Sequence, residues 1–184
     1  MSNPNQRIDG LETLQAIAFD VDGVLTDGKL TWNAADPAAE SKTFSFADVM
    51  GISLARRLGL HLALISGEPS PLVDRYAEKL HIKHVTKGCR DKATALREFS
   101  AAIAIPLEHI CFFGDDVNDL FAMEIAGLCA CPKNAARDVL AHVSARGFVS
   151  TQHGGHGAVR EFVDAILDAR RLIARDVFQL RPPV

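Results

Sequence analysis

Short apolar runs alternate with longer amphipathic segments along the chain, and this alternation constrains the fold more than any other feature of the sequence. The apolar runs have the length of buried strands, and most segments between them have helical spacing. The predicted strands cover residues 15–19, 60–65, 82–85, 109–113, 128–131 and 148–149. The predicted helices cover residues 48–58, 69 or 71 to 80, 91–102, 117–125, 134–141 and about 158–175. This order predicts a three-layer, doubly wound α/β fold with a mostly parallel sheet.

One segment departs from the alternation and predicts a β-hairpin flap. Residues 29–32 and 41–44 have the composition of two strands. We place the turn within residues 33–40, where an Asp-Pro pair favours it. The whole flap hairpin is predicted at about 28–45.

Length and composition exclude several classes of protein. The 184 residues fit one domain, 1–184, which ends in a C-terminal helix and tail of about 158–184. A charged fraction of 23% and a hydrophobic fraction of 48% exclude a disordered chain, and a net charge of −3 gives no sign of a nucleic-acid partner. No apolar run approaches the ~20 residues of a membrane span, and no secretory signal is visible. We therefore expect a cytoplasmic protein without nucleic-acid or membrane partners.

Distinctive polar sequences follow three of the predicted strands. They are Asp20-Val21-Asp22-Gly23, Ser66-Gly67 and Gly114-Asp115-Asp116-Val117-Asn118-Asp119. Ligands bind at the carboxyl ends of strands in such sheets, so these residues should meet at one edge, where Lys92 at the start of a helix can join them. Carboxylates clustered there repel one another unless a cation neutralises them, and Mg²⁺ is the natural oxygen-liganded ion.

This combination of residues suits the chemistry of a phosphoryl group. The Ser66 hydroxyl and loop N–H groups can hold phosphoryl oxygens, while Mg²⁺ and Lys92 offset their charge. A carboxylate can attack phosphorus to form an aspartyl-phosphate. A second carboxylate two residues on can protonate the leaving oxygen and later activate water. Each motif alone is also common as a plain turn or solvated residue, so the prediction rests on their joint occurrence.

The segment Asp20-Val21-Asp22-Gly23-Val24-Leu25-Thr26-Asp27-Gly28 resembles the first motif of the haloacid dehalogenase (HAD) superfamily of phosphatases. Ser66, Lys92 and residues 114–119 resemble its second, third and fourth motifs, and the likeness covers about residues 15–167. The resemblance implies that Asp20 is the nucleophile and Asp22 the general acid/base, with Lys92 as a third catalytic residue.

The same resemblance implies how the remaining site residues divide their roles. The implied Mg²⁺ ligands are the carboxylates of Asp20 and Asp115 and the backbone carbonyl of Asp22. The implied phosphate-binding residues are Ser66, Gly67 and Lys92. The residues implied to orient the surroundings of the metal, or Lys92, are Asp116, Asn118 and Asp119.

Motif spacing leaves no room for the cap domain that many of these relatives carry. Only the hairpin and one helix separate Asp20 from Ser66, and only one helix and one strand separate Ser66 from Lys92. We therefore expect a HAD-like, Rossmannoid fold without a cap. An uncapped site stays open to water unless a neighbouring subunit covers it.

With no room for a cap and with Thr26-Asp27-Gly28 after the nucleophile, the chain resembles the 3-deoxy-D-manno-octulosonate 8-phosphate (KDO 8-phosphate) phosphatases. Those enzymes are homotetramers whose hairpins form a central barrel. Residues 154–161 resemble their glycine-rich C-terminal motif, the alternative being a flexible loop before the last helix. The resemblance implies a Mg²⁺-dependent phosphomonoesterase acting on a 3-deoxy-2-ulosonic acid phosphate, first of all KDO 8-phosphate. Such a reaction belongs to the synthesis of surface carbohydrate such as lipopolysaccharide.

Glu68 departs from that subfamily, in which Arg usually follows the Ser-Gly pair. A Glu there resembles the phosphatases of nine-carbon, sialic acid-like sugars, which act on 2-keto-3-deoxynononate (KDN) 9-phosphate or N-acylneuraminate 9-phosphate. Family members also often place a substrate-facing Arg where this chain has Tyr76, while Arg75 and Lys79 lie nearby. We take Glu68, Arg75 and Lys79 as candidate specificity residues and the nine-carbon acids as alternative substrates.

Two other function classes fit part of the pattern. A phosphorylation-switched receiver domain also combines Asp residues, Mg²⁺ and Lys, but its phosphorylated Asp follows the third strand, whereas Asp20 follows the first. The second class is a non-catalytic assembly or sugar-binding subunit, against which the four intact motifs argue. We expect Leu30 and Trp32 of the hairpin to pack between subunits, the alternative being that Trp32 covers its own domain.

Overall fold

The computed structural model describes residues 8–182, so both ends of the predicted domain, residues 1–7 and 183–184, lie outside the described part. The strands are β1 (Ala16–Phe19), β2 (Thr31–Asn33), β3 (Asp36–Ser41), β4 (His61–Ile65), β5 (His84–Thr86), β6 (Ile110–Phe113), β7 (Leu128–Cys131) and β8 (Phe148–Val149). The helices are α1 (Phe46–Arg57), α2 (Pro71–Leu80), α3 (Lys92–Ile103), α4 (Leu120–Ile125), α5 (Arg137–Arg146), α6 (Ala158–Ala169) and α7 (Ala174–Gln179). Short 3₁₀ turns cover Leu107–His109 and Val117–Asp119.

One parallel sheet forms the centre of the described chain. Its order is β5-β4-β1-β6-β7-β8, and each neighbouring pair is parallel. Successive side chains of β1 enter different cores: Ile17 and Phe19 pack with α1, α2 and α6, and Ala16 and Ala18 with α3, α4 and α5. Burial on both faces is what an apolar parallel strand requires. The predicted three-layer α/β fold is confirmed.

The hairpin turn lies within residues 33–40 as predicted, but it is tighter than predicted and its placement at the Asp-Pro pair is wrong. The chain reverses between Asn33 and Asp36, where the Asn33 side-chain oxygen accepts a hydrogen bond from Ala35 N–H (2.9 Å). The chain therefore reverses in an Asx-type turn at Asn33 rather than at the Asp-Pro pair, and that pair begins β3. Trp32 is 70% exposed, so the alternative that it covers its own domain is also wrong.

The predicted C-terminal helix over 158–175 is in fact two helices. α6 ends at Ala169, and Arg171 adopts a left-handed backbone conformation (φ 55°) before α7 begins. The break redirects the chain, so that Val177 of α7 returns to the core with 2% exposure. An unbroken helix would carry this segment away from the domain. Elsewhere the boundaries move by a few residues: β5 is 84–86 rather than 82–85, and α5 is 137–146 rather than 134–141.

The helices of the described chain are short. The longest, α1, α3 and α6, have 12 residues each. None of the helices within residues 8–182 has the length and apolar character that crossing a bilayer demands.

Candidate active site

The first and fourth motifs meet at the carboxyl edge of the sheet because β1 and β6 are neighbours. Asp20 follows β1 directly, and its N–H donates to the carbonyl of Phe113, the last residue of β6 (2.8 Å). The chain leaving β6 then brings in Asp115 and Asp119. Carboxylate oxygens of Asp20, Asp115 and Asp119 lie within 4.8 Å of one another. Three of the predicted strand-end carboxylates therefore lie together.

Lys92 joins this cluster from the first turn of α3. Asp91 caps the helix by accepting from Thr94 N–H, which fixes Lys92 at its first position. The Lys92 side chain is 1% exposed, and its Nζ lies 2.7 Å from Asp20 Oδ1 and 2.6 Å from Asp119 Oδ1. Burial acts to lower the pKa of Lys92, but the charges of Asp20 and Asp119 outweigh it and raise that pKa. Two of the three ammonium donors are thus engaged, which leaves one for a further acceptor.

Both carboxylate oxygens of Asp119 are already occupied. Oδ1 accepts from Lys92, and Oδ2 accepts from the N–H groups of Asp115 (2.8 Å) and Asp116 (3.2 Å). Gly114 permits this contact, since a Cβ atom there would lie 2.4 Å from Asp119 Oδ2. Asp119 therefore orients Lys92 and the loop that carries Asp115. Asp116 is exposed and caps the following 3₁₀ turn through Val117 N–H.

Asp22 lies beside this cluster, and its carboxylate faces a lysine that the sequence analysis did not single out. Asp22 Oδ1 is 2.7 Å from Lys42 Nζ, just beyond β3. Asp22 Oδ2 is buried and has no hydrogen-bond partner among residues 8–182. Lys42 thus holds one oxygen of the Asp22 carboxylate, and the other oxygen is buried and unpaired within the described residues.

The second motif lies next to the fourth. Ser66 follows β4 and is fully buried, and its hydroxyl accepts from Glu68 N–H (3.1 Å). A Cβ atom at Gly67 would lie 3.8 Å from Asn118 Nδ2, so the Ser66-Gly67 loop and Asn118 are in van der Waals range. Hydroxyl, loop and amide groups therefore border the same edge as the carboxylates.

The candidate specificity residues lie farther out. Glu68 and Arg75 are exposed, and Lys79 Nζ lies 5.4 Å from the centroid of the Phe46 ring on α1. Within the described part of the chain, neither Arg75 nor Lys79 forms an ion pair with the clustered carboxylates. Tyr76 is 4% exposed and stacks on Phe44 with a centroid distance of 3.8 Å, so it supports the base of the hairpin.

Comparisons with known proteins identify the family of this chain. A family model of haloacid dehalogenase-like hydrolases matches residues 81–157. The 3-deoxy-D-manno-octulosonate 8-phosphate phosphatase KdsC of Haemophilus influenzae is 35% identical over 160 residues, which are 87% of this chain and 86% of that protein. The chain belongs to the haloacid dehalogenase-like hydrolases. The prediction of a phosphatase of this family is confirmed, and with it the receiver domain is excluded.

Solved structures of relatives have the fold of this hydrolase. One is the Moraxella catarrhalis 3-deoxy-D-manno-octulosonate 8-phosphate phosphatase in complex with a magnesium ion, a phosphate ion and KDO. It has a TM-score of 0.82 and 34% identity, covering 88% of this chain and 90% of that chain. Another is the cobalt-bound Haemophilus influenzae enzyme, with a TM-score of 0.81 and 34% identity, covering 89% and 92%.

The carboxylates of this hydrolase fit Mg²⁺, the cofactor predicted from the sequence. Asp115 Oδ1 is buried and lacks a hydrogen-bond partner among the described residues, as expected of an oxygen that binds a cation in the loaded protein. A Cβ atom at Gly23 would lie 2.0 Å from Asp115 Oδ2, so the glycine lets the first loop close onto Asp115. All donors are oxygens, as a hard cation prefers. Asp20, Asp115 and the backbone carbonyl of Asp22 would hold the ion, which would neutralise their charge and that of a bound phosphoryl group.

We expect the Mg²⁺ affinity of this site to rise with pH. Burial, with the charge of Asp119, raises the pKa of Asp20 to about 7, and burial with the charges of Asp20 and Asp119 raises that of Asp115 to about 8. In the folded, metal-free protein, both carboxyls keep their protons at pH values where the unfolded chain has already lost them, because carboxyls in the unfolded chain have an ordinary pKa near 4. Their contribution to the free energy of unfolding therefore falls as pH rises from about 4 to about 8. Mg²⁺ has to displace these protons.

Calorimetric titration at constant ionic strength measures this effect. Because both carboxyls must lose their protons, the apparent Kd for Mg²⁺ should be about 100- to 1,000-fold weaker at pH 6 than at pH 8.5. Binding at pH 6 should also release protons into the buffer. Equal affinities at the two pH values, with no proton release, would show that the cluster is already ionised.

The glycine-rich segment also contributes to the site, which the sequence did not show. A Cβ atom at Gly154 would lie 1.7 Å from the carbonyl oxygen of Gly23, and Gly155 N–H donates to Val24 O (2.9 Å). Asp48 on α1 accepts from the N–H groups of Gly157 and Arg160, each at 3.0 Å. The segment therefore packs on the loop that carries Asp20 and Asp22, where a flexible loop was the alternative. No local signal links residues this far apart in the chain.

Proposed function

We propose that this protein is a Mg²⁺-dependent phosphomonoesterase that hydrolyses KDO 8-phosphate to KDO and inorganic phosphate. The names of its relatives and the magnesium, phosphate and KDO bound by one of them support this substrate. A reaction of this kind would serve surface carbohydrate synthesis, such as that of lipopolysaccharide, in the cytoplasm.

The observation that carries the proposal is the buried Lys92 between Asp20 and Asp119. Because its ammonium has one donor left, it can bind a phosphoryl oxygen directly beside the Asp20 carboxylate. The Ser66 hydroxyl and the Gly67 N–H would hold a second oxygen. A phosphoryl group bound in this way would lie within reach of Asp20.

In the first step, an Asp20 oxygen attacks phosphorus and the bond from phosphorus to the sugar oxygen breaks. Asp22 donates its proton to that oxygen, so that the sugar acid leaves as an alcohol. An aspartyl-phosphate remains on Asp20. In the second step, Asp22 takes a proton from water, and the resulting hydroxide attacks phosphorus. The bond between phosphorus and Asp20 breaks, which releases inorganic phosphate and restores both carboxyl groups.

The nine-carbon acids KDN 9-phosphate and N-acylneuraminate 9-phosphate are the second candidate substrates, and Glu68 is the observation that favours them. Glu68 is exposed next to the Ser66-Gly67 loop, where its charge would face an incoming sugar acid. Arg in its place would attract a carboxylate that Glu repels, so this position should influence recognition.

Parallel measurements of kcat/KM on KDO 8-phosphate and KDN 9-phosphate decide between the candidates. We expect phosphate release with Mg²⁺, its loss in excess chelator, and a preference for the eight-carbon ester. A Glu68→Arg variant should increase that preference. A higher kcat/KM on the nine-carbon ester would transfer the assignment to that substrate, and no release from either ester would leave the non-catalytic subunit as the better proposal.

We further propose that the chain assembles as a homotetramer through its hairpins. The two-stranded ribbon stands apart from the main sheet, and Leu30 and Trp32 are 41% and 70% exposed. Exposed large apolar side chains on a protruding element favour association with another surface. Neighbouring subunits would also cover the open edge of the site.

Replacing Leu30 and Trp32 by Asp should therefore dissociate the assembly. Charges at a buried interface lose their hydration without gaining a partner, which disfavours association. Sedimentation velocity should show a change from tetramer to monomer. Ile173→Asp, at a site that is 65% exposed on another face, serves as the control. An unchanged mass for the hairpin variant would contradict the proposal.

A further inference from the structure

The Lys42 ammonium is nearly as dehydrated as that of Lys92, although it lies in the hairpin segment rather than in a motif. Its side chain is 2% exposed, and its Nζ is 2.7 Å from Asp22 Oδ1. An ammonium without water depends on its carboxylate partner, since an unpaired buried charge is costly. The nearby pair of Lys29 and Asp27 differs, because Lys29 is 81% exposed and its Nζ lies 3.3 Å from the carboxylate.

The backbone around Lys42 is anchored on both sides. Glu40 accepts a hydrogen bond from Ser70, the residue that caps α2 behind the second motif. Phe44 forms a β-bridge with Thr26 of the first motif and stacks on Tyr76. Lys42 thus reaches Asp22 from a chain segment that is fixed to two motif loops, as a residue that positions another must be.

We infer that Lys42 is a positioning residue that fixes the carboxyl of Asp22 for proton transfer to the leaving oxygen. Lys42 holds Oδ1, and Oδ2, which is buried and has no partner among residues 8–182, is the oxygen left to carry the proton to the sugar oxygen. A carboxyl free to rotate would present this oxygen only part of the time. The inference rests on the proposed function and adds a role for the hairpin in the chemistry of its own subunit.

Leaving-group dependence separates this role from a merely structural one. A sugar or other alkyl phosphate needs its leaving oxygen protonated, whereas p-nitrophenyl phosphate releases a stable phenolate without that help. The ratio kcat/KM includes only the steps up to departure of the leaving group. Loss of fold, metal or phosphate binding lowers kcat/KM for both esters alike, while a misplaced Asp22 lowers it selectively for the alkyl ester.

We expect Lys42→Met to lower kcat/KM on KDO 8-phosphate by about 10- to 100-fold, which is a fraction of the ~10²- to 10⁴-fold effect of general-acid catalysis, and to change it little on p-nitrophenyl phosphate. Lys42→Gln should show the same selectivity and provides a second variant if the methionine disturbs folding. Lys42→Arg, which keeps the charge, should recover part of the loss. Lys29→Met, the matched control, should leave both values unchanged.

A double-variant cycle completes the test. Asp22→Asn should show the same selective loss, and adding Lys42→Met to it should cost nothing more, because the two residues act through one carboxyl. Equal losses on both esters, or additive losses in the double variant, would overturn the inference. No turnover of either ester by the unchanged protein would instead overturn the proposed function.

Discussion

Asp20→Asn is expected to abolish turnover while leaving the fold intact. An amide does not attack phosphorus to form the aspartyl-phosphate, so kcat should fall by about 10⁴-fold or more. The exchange is nearly isosteric, and the Asn side-chain oxygen can still accept from Lys92, which Asp119 also holds at 2.6 Å. Phosphate release measured over long incubations gives the loss, and thermal unfolding checks the fold.

Asp138→Asn provides a matched control, because the same exchange is made at an exposed position in the first turn of α5. It should leave kcat unchanged and lower the free energy of unfolding by no more than about 1 kcal/mol, since Asp138 interacts with the α5 dipole. Intact-mass analysis of acid-quenched reactions adds a direct readout, since a phosphoryl adduct should form on the unchanged protein and on Asp138→Asn but not on Asp20→Asn. Turnover by Asp20→Asn close to that of the unchanged protein would refute the assignment of the nucleophile.

Gly154→Ala should lower both stability and activity, although Gly154 has no proposed role in binding or catalysis. A single methyl group there would lie 1.7 Å from the Gly23 carbonyl oxygen and 3.2 Å from that of Thr26, and backbone atoms cannot move aside cheaply. We expect a loss of about 3 kcal/mol in the free energy of unfolding, the upper part of the usual cost of overpacking. The loop that carries Asp20 and Asp22 must also shift, and a displacement near 1 Å lowers kcat by about 100-fold.

Chemical denaturation and kcat on the same preparations measure these two effects. Gly59→Ala is the control, because its Cβ would meet open space and only its left-handed backbone (φ 80°) is strained. That variant should lose about 1 kcal/mol and keep its kcat. If Gly154→Ala loses no more stability than the control and keeps its kcat, then the contact between the glycine-rich segment and the first-motif loop does not position the catalytic residues.

Strand-end motifs were the part of the site most accessible from sequence. Asp20 and Asp115 follow apolar runs, and the rules for parallel sheets bring such strand ends together when the strands are neighbours, as β1 and β6 are. The hairpin turn was misplaced because an Asn side chain outcompeted the Asp-Pro pair. The C-terminal break was missed because it depends on where the core lies, and helical periodicity does not show that.

The alternation of apolar runs and amphipathic segments, with polar residues at the strand ends, determined the α/β class, the family resemblance and the edge at which the chemistry lies. Only the tertiary structure decided which oxygens remain free: those of Asp119 are occupied, whereas Asp115 Oδ1 is not. It alone brought Lys42 to Asp22 and Gly154 to Gly23. Sequence patterns report contacts that repeat along a helix or strand, while these contacts join distant segments through single side chains and close backbone approaches, which leave no local pattern.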